Sequence, residues 1–456
     1  MSQGTGVGDR GTGDRAQGSE GRDPASGHRT VEDVACLGCG CTCDDIALVI
    51  ADERIVEARN ACAMGAAWFG DGVAPARALT DGRECRLDEA VEAIARTLQA
   101  ASDPLIYLAP DITCEAQREA VALADLLRAT LDTVTSDTAL ASVLARQMRG
   151  CATATLGEVR NRADLVVFWG VDSALRYPRF ETRYTPQPQG IHLPDGRRSR
   201  TVVAVDVGEG RGPEDADLRV AIAPDEEGAV LVALASVLSA PASVSGLPLA
   251  PATLAAVREL AARISSARYA AIVAEIDHMP SSPGDQGRRA EALTLLSIAV
   301  NDATRGALLS LRGGGNRAGA DAVLTAQTGF PLAVDFSRGY PRYQPWSGTA
   351  SQRLSRRDID AVLVLGSVTG LPASVTSMLP GAATCVIGPR ASESVLSSGR
   401  AVIDTGLPSV HEEGTVLRMD DVPLPVRRRI SGPPSTQSIT RALRERIVAS
   451  AGRRAS

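Results

Sequence analysis

Residues 36–45 read Cys-Leu-Gly-Cys-Gly-Cys-Thr-Cys-Asp-Asp, and a further cysteine follows at Cys62. Five of the nine cysteines in the chain therefore fall between positions 36 and 62. Thiolates this close together repel one another as anions, so in a reducing compartment a metal normally holds them. The intervening glycines let the backbone wrap around the sulfur atoms. The stretch predicts a small cysteine-rich module near the start of the fold.

The spacing of these cysteines indicates which metal group they would bind. Cys36, Cys39 and Cys43 follow a C-x2-C-x3-C pattern, and Cys62 supplies a distant fourth thiolate. This arrangement suits a [4Fe–4S] cluster better than zinc, which usually takes two separated C-x2-C pairs. Zinc and a glycine-rich loop without metal remain the alternatives. Cys41 is the expected non-ligand, although spacing alone leaves an exchange with Cys43 open.

Composition excludes several classes of function. The chain has 456 residues and a net charge of −6, which argues against a nucleic-acid surface. All 48 basic residues are arginine, so a lysine Schiff base and a P-loop are both excluded. The four histidines form no metalloprotease or Ser-His-Asp pattern. No apolar run is long enough to span a membrane, and we expect a cytoplasmic protein.

From about residue 85 onward, apolar strands alternate with amphipathic helices, which predicts an α/β fold with two doubly wound parallel sheets. Ligands of such sheets bind beyond the carboxyl ends of the strands. The expected organisation is a disordered tail (1–29), a cysteine-rich cluster-type domain (30–75), a discontinuous first α/β domain (76–140 with about 305–430), an inserted second α/β domain (141–304), and a linker with a C-terminal helix (431–456).

Two segments are candidates for cofactor binding. The run Gly313-Gly314-Gly315-Asn316 could approach a pyrophosphate through its backbone amides, or could simply form a tight loop. Gly170, Asp172 and Arg179 follow the clearest strand in the sequence, where a nucleotide-like ligand would lie. The alternative for these three residues is a turn followed by a surface arginine.

Several blocks of the chain, in order, resemble the B subunit of formylmethanofuran dehydrogenase, an oxidoreductase of the molybdopterin type. The blocks are the cysteine motif with its Asp-Asp, then residues 113–118, 154–164, 169–170 with 178–179, 315–319, 327–342 and 413–420. The resemblance implies a cysteine-rich domain and two α/β domains, the molybdopterin-oxidoreductase domains I–III, around a pterin cleft. It also implies a tungsten or molybdenum bis-pterin and an iron–sulfur cluster that takes the electrons.

The sequence departs from this family at the reaction centre. The resemblance implies a cysteine or selenocysteine metal ligand shortly after the helix that begins near Cys114. The corresponding turn contains Ser136, Asp137 and Thr138 and has neither cysteine nor histidine. A soft metal prefers a soft ligand, so oxygen is a poor replacement for thiolate. We therefore expect the ancestral molybdopterin or tungstopterin to be absent.

This departure resembles a second branch of the family, the B subunit of the bacterial formyltransferase/hydrolase complex. The resemblance implies one-carbon metabolism in which a formyl group passes from tetrahydromethanopterin to a methanofuran analogue and is released as formate. Hydrolysis and formyl transfer would belong to the A-type and D-type partner subunits, alongside a C-type subunit. The chain itself would then be a scaffold. A working dehydrogenase subunit is the main alternative, and a zinc module that docks a partner is another.

Overall fold

A computed structural model describes residues 20–22, 27–185, 190, 192–209, 211–240, 249–275 and 283–455. The cysteine-rich module contains a four-stranded antiparallel sheet in the order β1-β2-β3-β4. Its elements are β1 (Glu20–Arg22), β2 (Arg29–Val34), β3 (Ile46–Ala51), β4 (Arg54–Arg59) and helix α1 (Ala63–Phe69). Strands β3 and β4 form a hairpin directly after the cysteine loop, and α1 begins directly after Cys62. Strand β1 lies inside the segment predicted to be disordered; positions 1–19 and 23–26 of that segment lie outside the described residues.

The larger α/β unit contains a nine-stranded sheet, in the order β15-β14-β8-β7-β16-β17-β18-β5-β6. The five strands from β8 to β18 are parallel, whereas the outer strands on both sides are antiparallel. The strands are β5 (Ala78–Thr80), β6 (Arg83–Glu84), β7 (Pro104–Leu108), β8 (Thr130–Thr133), β14 (Val334–Asp335), β15 (Arg342–Tyr343), β16 (Ala361–Leu365), β17 (Ala383–Pro389) and β18 (Ala401–Thr405).

The second parallel sheet has five strands, in the order β11-β10-β9-β12-β13. They are β9 (Leu165–Trp169), β10 (Thr201–Val207), β11 (Leu218–Ile222), β12 (Tyr269–Glu275) and β13 (Arg305–Leu311). The prediction of an α/β fold with parallel sheets is therefore confirmed. The expected boundary at residue 304 is corrected, because β13 pairs along its whole length with β12 and so belongs to this second sheet.

Helices cover both faces of the two sheets. They are α2 (Leu87–Ala100), α3 (Cys114–Leu127), α4 (Val134–Thr138), α5 (Leu140–Arg149), α6 (Leu156–Arg162), α7 (Ser173–Arg176), α8 (Pro178–Tyr184), α9 (Glu227–Ser239), α10 (Pro251–Ser266), α11 (Pro283–Ala303), α12 (Arg317–Thr328), α13 (Ala350–Ser355), α14 (Ala373–Thr376) and α15 (Thr436–Ala455). Among the described residues, no helix is long and apolar enough to cross a membrane.

The C-terminal helix α15 packs onto the layer formed by α2 and α3. Ile439, Leu443 and Ile447 are buried in the same apolar core as those two helices. Arg441 and Arg444 both form ion pairs with Glu119 of α3, at 2.9 and 3.0 Å. Just before this helix, β19 (Gly414–Leu417) and β20 (Pro423–Val426) form a separate hairpin that contacts α3 and α12. The end of the chain is thus held against the nine-stranded sheet.

Candidate functional site

The cysteine loop is folded back on itself by backbone hydrogen bonds. The amide of Cys36 donates to the carbonyl oxygen of Cys43 at 2.8 Å. The amide of Thr42 donates to the carbonyl oxygen of Cys39 at 3.1 Å. Thr42 has a φ of 38°, in the left-handed region that a threonine rarely adopts. The amide of Gly38 also lies 3.4 Å from the Cys36 sulfur. The loop therefore brings its thiols together and turns a backbone amide toward one of them.

The four predicted ligands line one cavity. Cys36, Cys39, Cys43 and Cys62 line a small cavity of about 10 Å³, whereas Cys41 is not among the lining residues and is fully buried. Taken over the residues that the structure covers, no three Cys, His, Asp or Glu side chains are arranged to hold a single metal ion. The geometry thus groups the same four thiols that the spacing selected.

Burial opposes ionisation of these thiols when no metal is bound. It raises the pKa of Cys36 to about 12, and the neighbouring Cys39, Cys43 and Cys62 raise it further. The pKa of Cys39 is lowered instead, mainly because it accepts a hydrogen bond from the Cys41 thiol. Cys41 thus has a distinct role as a donor to a candidate ligand. Since metal ligation requires thiolates, binding at this site would release protons.

The wall of the cavity is built from small residues. A Cβ atom on Gly65 of α1 would lie 3.2 Å from the Cys36 sulfur and 3.9 Å from the Cys62 sulfur. A Cβ atom on Gly38 would lie 3.4 Å from the Cys36 sulfur. Glycine at both positions leaves the space next to the sulfur atoms free. The set of four thiol donors therefore matches the chemistry of a thiolate-ligated cluster, while the cavity between them is small.

A second cavity, which we call the cleft, lies next to the cysteine loop. It has a volume of about 510 Å³ and is lined by Leu37, Gly38, Trp68, Pro110, Asp111, Thr138, Gly314, Gly315, Arg317, Ser367, Thr369, Gly370, Leu371, Pro372 and Ala373. Pro110 and Asp111 follow β7, and Ser367 follows β16. The chain turns in opposite directions along the sheet from these two adjacent parallel strands, so the cleft lies at the topological switch point.

The glycine run lies between the cleft and the cysteine loop. Gly314 and Gly315 line the cleft, and the amide of Gly315 donates to the carbonyl of Leu37 at 2.9 Å. A Cβ atom on Gly314 would lie only 2.7 Å from the carbonyl oxygen of Gly38. Asn316 is fully buried, and its side chain bonds the backbone of Ile112 and Leu417. One clear role of residues 313–316 is therefore close packing against the cysteine loop.

The structure separates the other predicted cofactor residues. Gly170 and Asp172 lie together after β9, where Gly170 has a φ of 57° and Asp172 caps α7 by accepting the Leu175 amide at 2.9 Å. Arg179 is elsewhere: it lines the cysteine cavity and forms a two-pronged ion pair with Asp45 at 2.5 and 2.6 Å. Its ion pair joins α8 to the cysteine loop, and the grouping of Arg179 with Gly170 and Asp172 around a cofactor stays a prediction.

The turn at 136–138, where the resemblance implies the metal ligand, is held by hydrogen bonds to neighbouring strands. The Ser136 hydroxyl donates to the Asp132 carboxylate at 2.7 Å and also lies 3.0 Å from the Thr133 carbonyl oxygen. Asp137 accepts a hydrogen bond from the Tyr107 hydroxyl. Thr138 lines the cleft, and all three turn residues line an adjoining cavity of about 710 Å³. Each side chain that could replace a thiolate is therefore bonded to the protein through one oxygen, whereas Asp137 Oδ1 is buried with no hydrogen-bond partner among the described residues.

These residues do not fit a soft metal centre, although the cleft can accept a ligand. No sulfur or imidazole side chain is among the residues lining the cleft. The Ser136 hydroxyl and Asp137 Oδ2 are engaged as described, and the remaining Asp137 oxygen is a hard ligand that suits a soft metal poorly. The indole nitrogen of Trp68, which lines the cleft, is buried with no hydrogen-bond partner among the described residues. Arg317 brings a positive charge to the same wall. The cleft is thus suited to a polar or anionic molecule.

Sequence reasoning missed several residues of the cleft wall, including Trp68, Asp111 and Arg317. Asp111 lies just after the apolar run at 104–109, and Arg317 directly follows the glycine run. The position of each residue next to such a segment could have identified it as a candidate for the cleft wall. Trp68 belongs to α1, and its neighbours in the sequence do not indicate a ligand site. Its position in the wall depends on how the cysteine module packs against the nine-stranded sheet, which no local pattern specifies.

A buried carboxylate behind the cleft should make stability depend on pH. Burial, with a smaller contribution from nearby Asp111, raises the pKa of Glu412 to about 8. The folded protein therefore binds a proton more tightly than the unfolded chain, so stability falls as pH rises from about 4.5 to about 8. We therefore compare the free energy of unfolding of Glu412→Gln with that of wild type at each pH. Between pH 4 and pH 9 this difference should shift in favour of Glu412→Gln by roughly 2–4 kcal/mol.

Urea unfolding of both proteins across this pH range would measure the difference. The glutamine side chain of this variant can still accept the Thr436 amide bond that Glu412 accepts. Glu413→Gln alters an exposed neighbour and serves as the matched control. A difference between Glu412→Gln and wild type that stays constant with pH would contradict the expectation.

A cysteine module beside a switch-point cleft, together with two sheets whose central strands are parallel, defines a mixed α/β protein with a ligand site at the carboxyl ends of its strands. The B subunit of the tungsten-containing formylmethanofuran dehydrogenase 2 of Methanocaldococcus jannaschii is 31% identical over 417 residues, covering 89% of this chain and 95% of that protein. The corresponding protein of Methanococcus maripaludis is 30% identical over 88% of this chain and 94% of its own length. The chain belongs to the family of formylmethanofuran dehydrogenase B subunits.

A bacterial relative and a solved structure extend this comparison. The B subunit of the formyltransferase/hydrolase complex Fhc of Methylorubrum extorquens is 25% identical over 358 residues, covering 75% of this chain and 85% of that protein. A chain of the crystal structure of the FhcABCD complex from the same organism, determined with methylofuran, superposes with a TM-score of 0.66 at 23% identity. That match covers 82% of this chain and 99% of the other, and it supports the fold. No protein-family model matches the chain.

Proposed function

We propose that this chain is the B-type subunit of a cytoplasmic formyltransferase/hydrolase complex, in which it acts as a scaffold without its own tungsten or molybdenum centre. The complex would transfer a formyl group to a methanofuran-like carrier and release it as formate. Its partners would be A-, C- and D-type subunits. The observation that carries the proposal is the turn at 136–138, where Ser136 and Asp137 are bonded to Asp132 and Tyr107.

The cysteine cavity is proposed to hold a [4Fe–4S] cluster on Cys36, Cys39, Cys43 and Cys62. Support comes from the cavity that these four thiols share and from the C-x2-C-x3-C spacing. The cluster would stabilise the module, because no redox metal remains for it to serve. The three proposed domains are the cysteine module, a discontinuous unit around the nine-stranded sheet and an inserted unit around the five-stranded sheet that ends after Leu311.

A working dehydrogenase subunit is the second candidate. The two archaeal relatives, named as tungsten-containing, are 31% and 30% identical to this chain, against 25% for the bacterial relative. The cleft at the switch point is also in the place where a pterin cofactor would bind. Gly314, Gly315 and Arg317 would then contact that cofactor. Metal content separates the two candidates.

The test is elemental analysis of the complex purified with its native partners. We expect iron bound to this chain and no stoichiometric tungsten or molybdenum, because the turn offers no soft ligand. Pterin fluorescence after oxidative release should be at background. Tungsten or molybdenum near one atom per chain, together with pterin, would overturn the scaffold and establish the dehydrogenase. Zinc without iron would instead identify a zinc module and overturn the cluster assignment.

A further inference from the structure

Two arginines on one turn of α8 lie against the cysteine loop. Arg179 and Arg183 are four residues apart, so both side chains project from the same face of the helix. Arg179 binds both carboxylate oxygens of Asp45, and Arg183 binds Asp44 at 2.7 Å. These aspartates directly follow Cys43. The guanidinium groups are largely buried, with exposed side-chain fractions of 19% and 20%.

The two arginines differ in their relation to the thiols. Arg179 is a lining residue of the cysteine cavity, whereas Arg183 is not. Arg183 instead lies over the ring of Tyr184, with 5.5 Å between its guanidinium carbon and the ring centroid. Arg179 is thus the one cationic side chain in the described wall of the cavity, and Arg183 reinforces the attachment from outside.

A cluster held by four thiolates carries a net negative charge, and nearby charges and hydrogen bonds set its stability and potential. The aspartates after Cys43 add further negative charge close to the same site. A buried guanidinium that is fixed by a bidentate carboxylate pair cannot move away from the cavity without breaking two charge-assisted hydrogen bonds. Arg179 is therefore placed to compensate the charge of a bound cluster.

We infer that Arg179 is a positioning residue for the cluster, and that the Arg179–Asp45 and Arg183–Asp44 pairs make cluster retention depend on the docking of the second α/β unit. The inference rests on the cluster assigned under the proposed function. It gives the cluster a role that needs no electron transfer: the cluster and α8 together fasten the cysteine module to the five-stranded sheet. Residues outside the cysteine motif would thus control how long the metal is held.

The experiment compares iron retention in variants of the full complex. Arg179→Gln should lose iron to a chelator at least about tenfold faster than wild type, as is common when a partner of a metal ligand is removed. Arg183→Gln should show a smaller acceleration. Arg179→Lys, which keeps the charge but not the two-pronged contact, should fall between wild type and Arg179→Gln. The matched control is Arg219→Gln, which removes an arginine–aspartate pair to Asp206 within the second unit.

The reduction potential of the cluster provides a readout that a purely structural role would not change. Loss of the positive charge in Arg179→Gln should shift the potential to a more negative value. Arg183→Gln should produce a smaller shift, because Arg183 lies 3.4 Å from Asp45 but does not line the cavity. Iron loss and potential in Arg179→Gln equal to those of Arg219→Gln would overturn this inference and leave the cluster assignment intact. A wild-type protein that binds no iron would overturn both.

Discussion

Replacing Cys62 with alanine is expected to abolish iron binding, whereas replacing Cys41 is expected to leave it nearly unchanged. Cys62 lines the cysteine cavity with the other three candidate ligands, although it lies nineteen positions after Cys43. A cluster that loses one of four thiolates normally loses its stable coordination. Iron content should fall from about four atoms per chain to a small fraction of that value.

Cys41→Ala is the matched control for this prediction. Cys41 is more deeply buried than Cys62, so any general disturbance of the module should be at least as large in this variant. Its thiol does not line the cavity. Iron analysis, with the iron–sulfur absorption band as a second measurement, would compare the two variants. Loss of iron from Cys41→Ala with retention in Cys43→Ala would show that Cys41 takes the place of Cys43.

Local sequence patterns were sufficient for much of the fold. Strand β9 was predicted from an uninterrupted apolar run ending in Gly170, and the hairpin of β3 and β4 from two apolar segments around a short polar turn. Such signals depend only on neighbours in the chain. The alternation of strands and helices then implied parallel sheets, with a cleft at the carboxyl ends of their strands.

The sequence does not specify which strands pair with each other or which charged side chains form buried ion pairs. Strand β13 has an apolar pattern that would suit either sheet, and only its pairing with β12 shows that the boundary lies after Leu311. Arg179 finds Asp45 across 134 positions of sequence. An ion pair of this kind depends on how α8 packs against the cysteine module. The sequence could therefore identify Arg179 as a candidate functional residue, but it could not identify Asp45 as its ion-pair partner.

Asp132 shows how far the turn at 136–138 depends on distant contacts. This fully buried carboxylate accepts hydrogen bonds from the amides of Thr133, Ala333 and Ala350 at 2.9, 2.9 and 2.6 Å, and from the Ser136 hydroxyl at 2.7 Å. It therefore joins β8, α4, the segment before β14 and the start of α13. The side chain holds in place the turn that would carry the metal ligand in the dehydrogenase.

Asp132→Ala is expected to lower the free energy of unfolding by about 3–5 kcal/mol, because it leaves several buried donors without an acceptor. Urea unfolding at about pH 6 is the appropriate measurement, since burial and the neighbouring Asp137 raise the pKa of Asp132 to about 7 and wild type loses stability as the pH rises toward that value. Asp125→Ala removes an exposed carboxylate from nearby α3 and should change stability by less than about 0.5 kcal/mol.

Amide hydrogen exchange would locate the effect of Asp132→Ala. Ala333 and Ala350 lose their acceptor directly, so their amides should exchange much faster in Asp132→Ala, while the amides of the five-stranded sheet should change only as far as global stability does. Equal stability of Asp132→Ala and Asp125→Ala, with unchanged exchange at Ala333 and Ala350, would mean that Asp132 does not hold the turn. The proposed scaffold would then lose the contact that keeps Ser136 engaged, and Ser136 would again be a candidate ligand for a metal in the cleft.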